Sequence, residues 1–252
     1  MFIVRILIAA ILLLALGAAL WLPGREEALG SYATSLSGRT RGQHRNALRA
    51  AGAVDGVTLE PGAVFSFNKT VGSWTSERGY VLAPVSYDGE LVVDWGGGVC
   101  QTSTTLYNAA LLAGLQVLER HRHNWAPKYV PPGRDAAVAQ YDIDLRLRNP
   151  YPWPVCLRSV STAERIGFQI LGRAHGPMAR LADDTTALNP PSEVVKYDPR
   201  LTHGRRRLLT RGRPGLRVAV TRQYLRGPRA GTRELVSQDA YPVMNTVLAV
   251  GR

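Results

Sequence analysis

The feature that most constrains this chain is a glycine run that opens a helix on a cysteine: Trp95-Gly96-Gly97-Gly98-Val99-Cys100-Gln101-Thr102-Ser103-Thr104-Thr105. Leu106, Ala109, Ala110 and Ala113 follow at helical spacing, and Gly114 stands where a C-terminal cap belongs. Three residues without side chains interrupt a strand and let other backbone come close. The Cys100 thiol is thereby placed near a helix N-terminus, where unpaired N–H groups and the helix dipole favour negative charge. That setting lowers a thiol toward its nucleophilic thiolate form. The hydroxyls of Thr102, Ser103, Thr104 and Thr105 crowd the first turn and read as capping groups rather than nucleophiles.

A nucleophilic thiol requires a base within hydrogen-bond reach and a third group to orient that base. Directly downstream, Leu115 to Asn124 reads as a strand with Val117, Glu119, His121 and His123 on one face. His123, next to the Asn124-Trp125 loop, is the first choice of base, and His121 is the alternative. Asp135, Asp142 and Asp144 are the candidate orienting groups. Gly97 and Gly98 read as the place where a peptide-like substrate approaches the thiol, with the N–H of Cys100 or Gln101 stabilising an oxyanion. The glycine run lacks the spacing of a dinucleotide or P-loop motif. Zinc is the rival chemistry for Cys100, His121 and His123. No fourth ligand has recognisable spacing, so no metal and no cofactor is expected. Only one other cysteine exists, Cys156. A Cys100–Cys156 disulfide is the alternative to a free thiol, and otherwise Cys156 reads as a small buried hydrophobe.

Location bears on that choice. Arg5 precedes an apolar run from Ile6 to Leu22, closed by Pro23-Gly24. One positive charge before such a run is an export signal. The expectation is an uncleaved signal-anchor, placing the chain in the cytoplasmic membrane as a single-pass protein with its C-terminal domain outside. The alternative is a cleaved signal and a secreted chain. The net charge of +12 comes almost entirely from arginine, because Lys69, Lys128 and Lys196 are the only lysines. A basic surface of this kind suits an anionic wall polymer or lipid headgroups. No nucleic-acid-binding signature occurs, so nucleic acid is not an expected partner.

The rest of the chain suggests a scaffold for this thiol. Residues 25–41 are polar and read as a tether. Gln43 to Val54 suits a short helix, with His44 at the surface. Val81 to Tyr87 and Glu90 to Asp94 flank Asp88-Gly89 and predict a hairpin. Tyr141, Ile143, Leu145 and Leu147 alternate as the inward face of a strand, and Val155–Val160 pairs with Ile166–Ile170. From Gly172 onward arginine becomes dense and helix signals vanish. The expected fold class is α+β: a mixed sheet with a helix led by Cys100, a small all-β C-terminal appendage poorly suited to catalysis, and an N-terminal membrane helix. The expected divisions are 1–24 for the signal-anchor, 25–41 for the linker, 42–172 for the main domain and 173–252 for the basic β-rich region.

Several motifs carry a resemblance. Pro61-Gly62-x-x-Phe65-Ser66-Phe67-Asn68, Gly79-Tyr80, Gly96-Gly97-Gly98-x-Cys100-Gln101-x-Ser103-Thr104-Thr105-Leu106-Tyr107-Asn108, Glu119-Arg120-His121-x-His123 and Tyr129-Val130-Pro131-x-Gly133-x-Asp135-Ala136 occur in order. Over roughly residues 40–170 the chain resembles the VanW domain family, named for an accessory gene in glycopeptide-resistance clusters. The C-terminal region is loosely similar to a G5 module. The resemblance implies a cell-wall protein, and some relatives are described as L,D-transpeptidases that work through a cysteine acyl-enzyme. On that reading Cys100 is the nucleophile and His123 or His121 the base. Asp135 joins the catalytic set, while Tyr80, Gly97, Gly98, Gln101 and Ser103 are the substrate-binding candidates. The older Ser-His-Gly-Cys transpeptidase signature is absent. Asn124 stands where the family commonly has Ser, and Lys128 replaces a usually apolar residue. The alternative from another class is a non-catalytic wall-binding or scaffold module.

Overall fold

The computed structural model describes residues 26–87 and 90–251. Its central sheet has the order β1-β9-β8-β2, built from β1 (Glu26–Ser35), β9 (Arg165–Arg173), β8 (Val155–Ser159) and β2 (Val57–Leu59). Every pairing in it is antiparallel. Ile166, Phe168 and Ile170 of β9 alternate into the core, as one face of a half-buried strand must. Against β1 and β9 lies α3 (Val99–Leu112), with α1 (Arg41–Val54) packed alongside it. Gly30 of β1 permits this approach: a Cβ there would sit 2.4 Å from the Ala113 nitrogen and 2.5 Å from the Ala109 oxygen.

Both helices have defined ends. Thr40 caps α1 through its hydroxyl to the Gln43 N–H, and Gln43 returns a side-chain bond to the Thr40 N–H. This reciprocal box satisfies two donors that the helix itself leaves open. At the far end of α3, Gly114 turns left-handed, its N–H reaching Leu111 while Leu115 N–H reaches Ala110. That pair of bonds closes the helix C-terminus. A cation adds to it: Arg222 donates Nη1 to the carbonyls of Leu111 and Leu115 at 3.1 and 2.9 Å.

A second sheet, β3-β7-β6, comprises β3 (Val64–Ser66), β7 (Arg146–Arg148) and β6 (Gln116–Glu119). A short helix α2 (Phe67–Val71) follows β3, and β4 (Leu82–Tyr87) pairs with β5 (Glu90–Trp95) as the expected hairpin. Its Asp88-Gly89 turn lies outside the described residues. The C-terminal strands form two more sheets. One is β10 (Met178–Ala187), β13 (Leu216–Arg226) and β14 (Arg233–Tyr241). The other is β11 (Glu193–Tyr197), β15 (Thr246–Val250) and β12 (Arg206–Thr210), in which β11 and β15 run parallel.

Several expectations are corrected. The α+β assignment gives way to a mostly β protein, with 45% strand and 15% helix. The sheets beside the Cys100 helix are antiparallel rather than mixed. Residues 26–35, expected as a tether, pair along their length with β9 as β1. The strand expected over residues 141–148 shrinks to β7: Leu145 and Leu147 are buried, but Tyr141 is 90% exposed because the chain turns there. The predicted strand running to Asn124 ends at Glu119. Single-pass placement in the cytoplasmic membrane is also overturned: no helix among the described residues is long and apolar enough to cross a membrane. The apolar run that prompted the signal-anchor, residues 1–24, lies outside the described residues.

Candidate active site

Cys100 is the second residue of α3 and is partly buried. The glycines before it serve the scaffold. Gly98 caps α3 with φ of 108°, a conformation that side chains disfavour. A Cβ there would lie 2.3 Å from the Gln43 carbonyl, and one on Gly97 would lie 2.6 Å from that of Pro84. Asn46 of α1 bridges the arrangement, donating to the carbonyls of Val81 and Gly97 and accepting from the Val81 N–H. The close approach expected of a substrate at Gly97 and Gly98 is therefore made by α1 and β4.

The thiol donates to the Val138 carbonyl at 3.3 Å and is also hydrogen-bonded to the His123 ring. His123 in turn presents Nδ1 to Oδ2 of Asp135 at 2.7 Å. With Nδ1 occupied, Nε2 is the nitrogen left for the thiol. Three of the four candidate catalytic residues thus meet in the order Cys100, His123, Asp135. The fourth does not join them: the His121 ring is 44% exposed and pairs with Glu119 at 3.1 Å. Asp144 serves elsewhere, accepting from Ser66 and from the Asn68 N–H.

Electrostatics follow from these contacts. Burial pushes the Cys100 thiol up, but its hydrogen bond to His123 and the charge of that ring outweigh burial and leave it below the ordinary thiol range. Burial works against the His123 imidazolium, yet Asp135 and then Cys100 raise it to about 10. Burial also opposes the charged form of Asp135. The hydrogen bond and charge of His123, together with Arg120, hold it below its usual value. Each contact shifts the pair toward its charged form, the thiol downward and the imidazole upward.

The remaining sequence candidates have internal partners. Gln101 donates to Thr34 Oγ1 and the Ser35 carbonyl and accepts from Arg39. Ser103 donates to the Cys100 and Ala136 carbonyls, and Thr102 to the carbonyl of Ala47. These hydroxyls tie α3 to its surroundings instead of capping it. Tyr80 is buried in the core, with Arg49 over its ring. Cys100 and Cys156 are both free thiols. No group of three or more metal-ligand side chains is arranged to hold a metal among the described residues.

Sequence reasoning missed the groups that hold Asp135. Its Oδ1 accepts from the Tyr241 hydroxyl at 2.5 Å and from Arg120 at 3.3 Å. Arg120 also donates Nη1 to both carboxylate oxygens of Asp239 at 2.7 Å. Tyr241 and Asp239 are on β14, more than 100 positions away in the chain. No local pattern announces a contact over that separation, and the alternation of Asp239 with Tyr241 on one strand face was the only signal present.

A buried carboxylate, an imidazole and a thiol at a helix start define a Cys–His–Asp protein of mainly antiparallel β architecture. The family model described as "VanW like protein" matches residues 42–171, so the chain belongs to the VanW family. It is 41% identical over 131 residues to the uncharacterized protein YoaR of Bacillus subtilis, covering 52% of this chain and 43% of that protein. It is 30% identical over 106 residues to the vancomycin B-type resistance protein VanW of Enterococcus faecalis, covering 40% of this chain and 38% of that one. The matched stretch is thus less than half of either relative's length. Part of the chain is also similar to two solved G5 domains. That of HP0197 matches at 25% identity and a TM-score of 0.17, covering 30% of this chain and 97% of the other. That of an IgA1 protease matches at 21% identity and a TM-score of 0.20, covering 32% and 98%.

Proposed function

We propose that the chain is a cell-wall protein whose Cys100 performs acyl transfer on peptidoglycan stem peptides. The observation that carries this reading is the placement of His123 between the Cys100 thiol and the buried Asp135. Family membership and the similarity to a vancomycin resistance protein support the choice of wall peptide as substrate.

The Cys100 thiolate attacks a peptide carbonyl carbon, forming a C–S bond and a tetrahedral oxyanion. The Gln101 N–H is bonded to the Gly98 carbonyl at 3.1 Å, which leaves the Cys100 N–H as the donor offered to that oxyanion. His123 then gives its Nε2 proton to the leaving amine as the C–N bond breaks, leaving a thioester. In the second half an acceptor amine, or water, gives a proton to His123 and attacks the thioester. The C–S bond breaks and the thiolate returns. Asp135 holds the ring in position and stabilises the imidazolium throughout. An amine acceptor yields a cross-link and water yields hydrolysis.

The test combines labelling with wall analysis. Cys100 reacts with iodoacetamide at neutral pH faster than Cys156, and incubation with stem peptide gives a mass increase on Cys100. Cys100→Ala removes both and alters the muropeptide profile. Equal reactivity of the two thiols, together with an unchanged profile, overturns the enzyme reading in favour of a wall-binding or scaffold module.

A further inference from the structure

The residues assigned to the chemistry all precede residue 172, yet the group that orients His123 is completed from the C-terminal strands. Asp135 is fully buried. Its Oδ2 accepts the backbone N–H and Nδ1 of His123, and its Oδ1 accepts the Tyr241 hydroxyl and Arg120. Tyr241 itself accepts from the Gly133 N–H at 2.9 Å, two residues before Asp135. We infer that β14 is a working part of the site: Tyr241 and Asp239 are positioning residues through which the C-terminal strands set the Cys100–His123 pair.

The reason lies in how one carboxylate is shared. Arg120 is almost fully buried and touches two carboxylates, Asp135 and Asp239. A buried guanidinium with a single acidic partner places its whole charge on that partner. Here Asp239 takes the shorter contacts, 2.7 Å to both its oxygens against 3.3 Å to Asp135. Asp239 therefore draws Arg120 away and leaves Oδ2 of Asp135 to His123. Tyr241 donates to the other oxygen and takes up part of its negative charge, which tempers the hold of Asp135 on His123.

The charged and titratable groups around this cluster come from every side. Cys100 and Tyr107 face it from α3, and the Arg120 guanidinium lies 5.6 Å over the Tyr107 ring. Arg120 and Arg122 face it from the segment after β6, with Arg122 over Tyr241 at 5.4 Å. Tyr129 lies beside Cys100, its hydroxyl 3.4 Å from the Cys100 carbonyl oxygen. In this set the Arg120–Asp239 pair is the balance that a single isosteric substitution tips.

The inference rests on the Cys100–His123 pairing of the proposed function, but its test needs no wall substrate. In the full chain, the His123 ring is titrated by NMR and the Cys100 alkylation rate is followed against pH. Asp239→Asn leaves Arg120 uncompensated, so the His123 titration falls by about one pH unit or more, and Asp239→Glu restores it. Tyr241→Phe removes one donor from Asp135, strengthens it as an acceptor and moves the titration upward. Opposite shifts from two neighbours on one strand are not what a loss of packing produces. Two folded variants with the wild-type titration overturn the inference, as do two that shift the same way in proportion to lost stability. Should Asp239→Asn fail to fold, Tyr241→Phe carries the test alone, because it keeps the ring, and an unchanged titration overturns the inference. If Cys100→Ala leaves muropeptides unchanged while both shifts appear, the acyl-transfer reading fails and this one stands.

Discussion

Asp135 meets His123 twice through one oxygen: Oδ2 accepts the His123 backbone N–H at 2.6 Å and the ring Nδ1 at 2.7 Å. Main chain and side chain of the same residue are thereby fixed by one atom, which sets both ring orientation and tautomer. Asp135→Asn offers an amide where a negative acceptor is needed. Stem-peptide acyl transfer is expected to fall by about a thousand- to ten-thousand-fold, the scale on which neutralising a triad aspartate acts. The measurement is single-turnover formation of the Cys100 thioester by mass spectrometry, with circular dichroism to confirm the fold.

The pH dependence has a definite sign. Cys100 lies below the ordinary thiol range, so its alkylation is expected to rise at a lower pH than that of an ordinary thiol such as one in the unfolded chain. With His123 raised to about 10, the proposed acyl transfer, which needs that proton for the leaving amine, is expected to decline through that region. In stability, the raised His123 contributes fully below its unfolded value of 6.5, and the contribution is lost as pH rises to about 10. Asp135 acts in the opposite sense: its contribution is present above 3.8 and lost as pH falls through its lower folded value. Urea titrations across the pH range follow both limbs.

The two histidines separate cleanly. His121→Ala removes only an exposed pairing with Glu119, worth about 0–1 kcal/mol, and leaves Cys100 alkylation at the wild-type rate. His123→Ala removes the partner of the thiolate, and alkylation at neutral pH falls toward that of an ordinary thiol. Parallel iodoacetamide rates on the two variants make the comparison.

Asn46→Ala is expected to destabilise the protein by about 1–3 kcal/mol, because the Gly97 carbonyl and both backbone groups of Val81 lose a buried partner. The Gly97–Gly98 segment sets where Cys100 begins its helix, so thiol reactivity falls with stability. Denaturant midpoints and alkylation rates measured on one sample show the link.

Much of the site was legible because its signals are local. The glycine run, the small residues of α3 and Gly114 mark one helix with Cys100 at its start, and the loop after Asn124 singles out His123. Asp135 stood among three candidate carboxylates, and only the fold picks it out by burying it. Local reading failed where a contact spans the chain. Tyr241 and Asp239 lie in an arginine-rich stretch that looks like a separate appendage. β1 hides its pattern because Gly30, Ser31, Ala33 and Ser35 dilute the alternation, and a bulge between Ala28 and Gly30 shifts it. The hydroxyls of Thr102 to Thr105 resemble caps in sequence, since nothing nearby shows that the helix they sit on is buried all round.

The pairing of β1 with β9 has a mechanical side. The strands are antiparallel with Glu26 opposite Arg173, so the point where the chain enters the sheet and the point where it leaves for the C-terminal strands share one end. A pull between those two points peels the pair apart rung by rung, beginning at that end, instead of shearing all rungs at once. Gly30, which bears directly on the backbone of α3, is among the first rungs to part. Under such a load the floor beneath the cysteine helix opens while most of the remaining sheet is still closed.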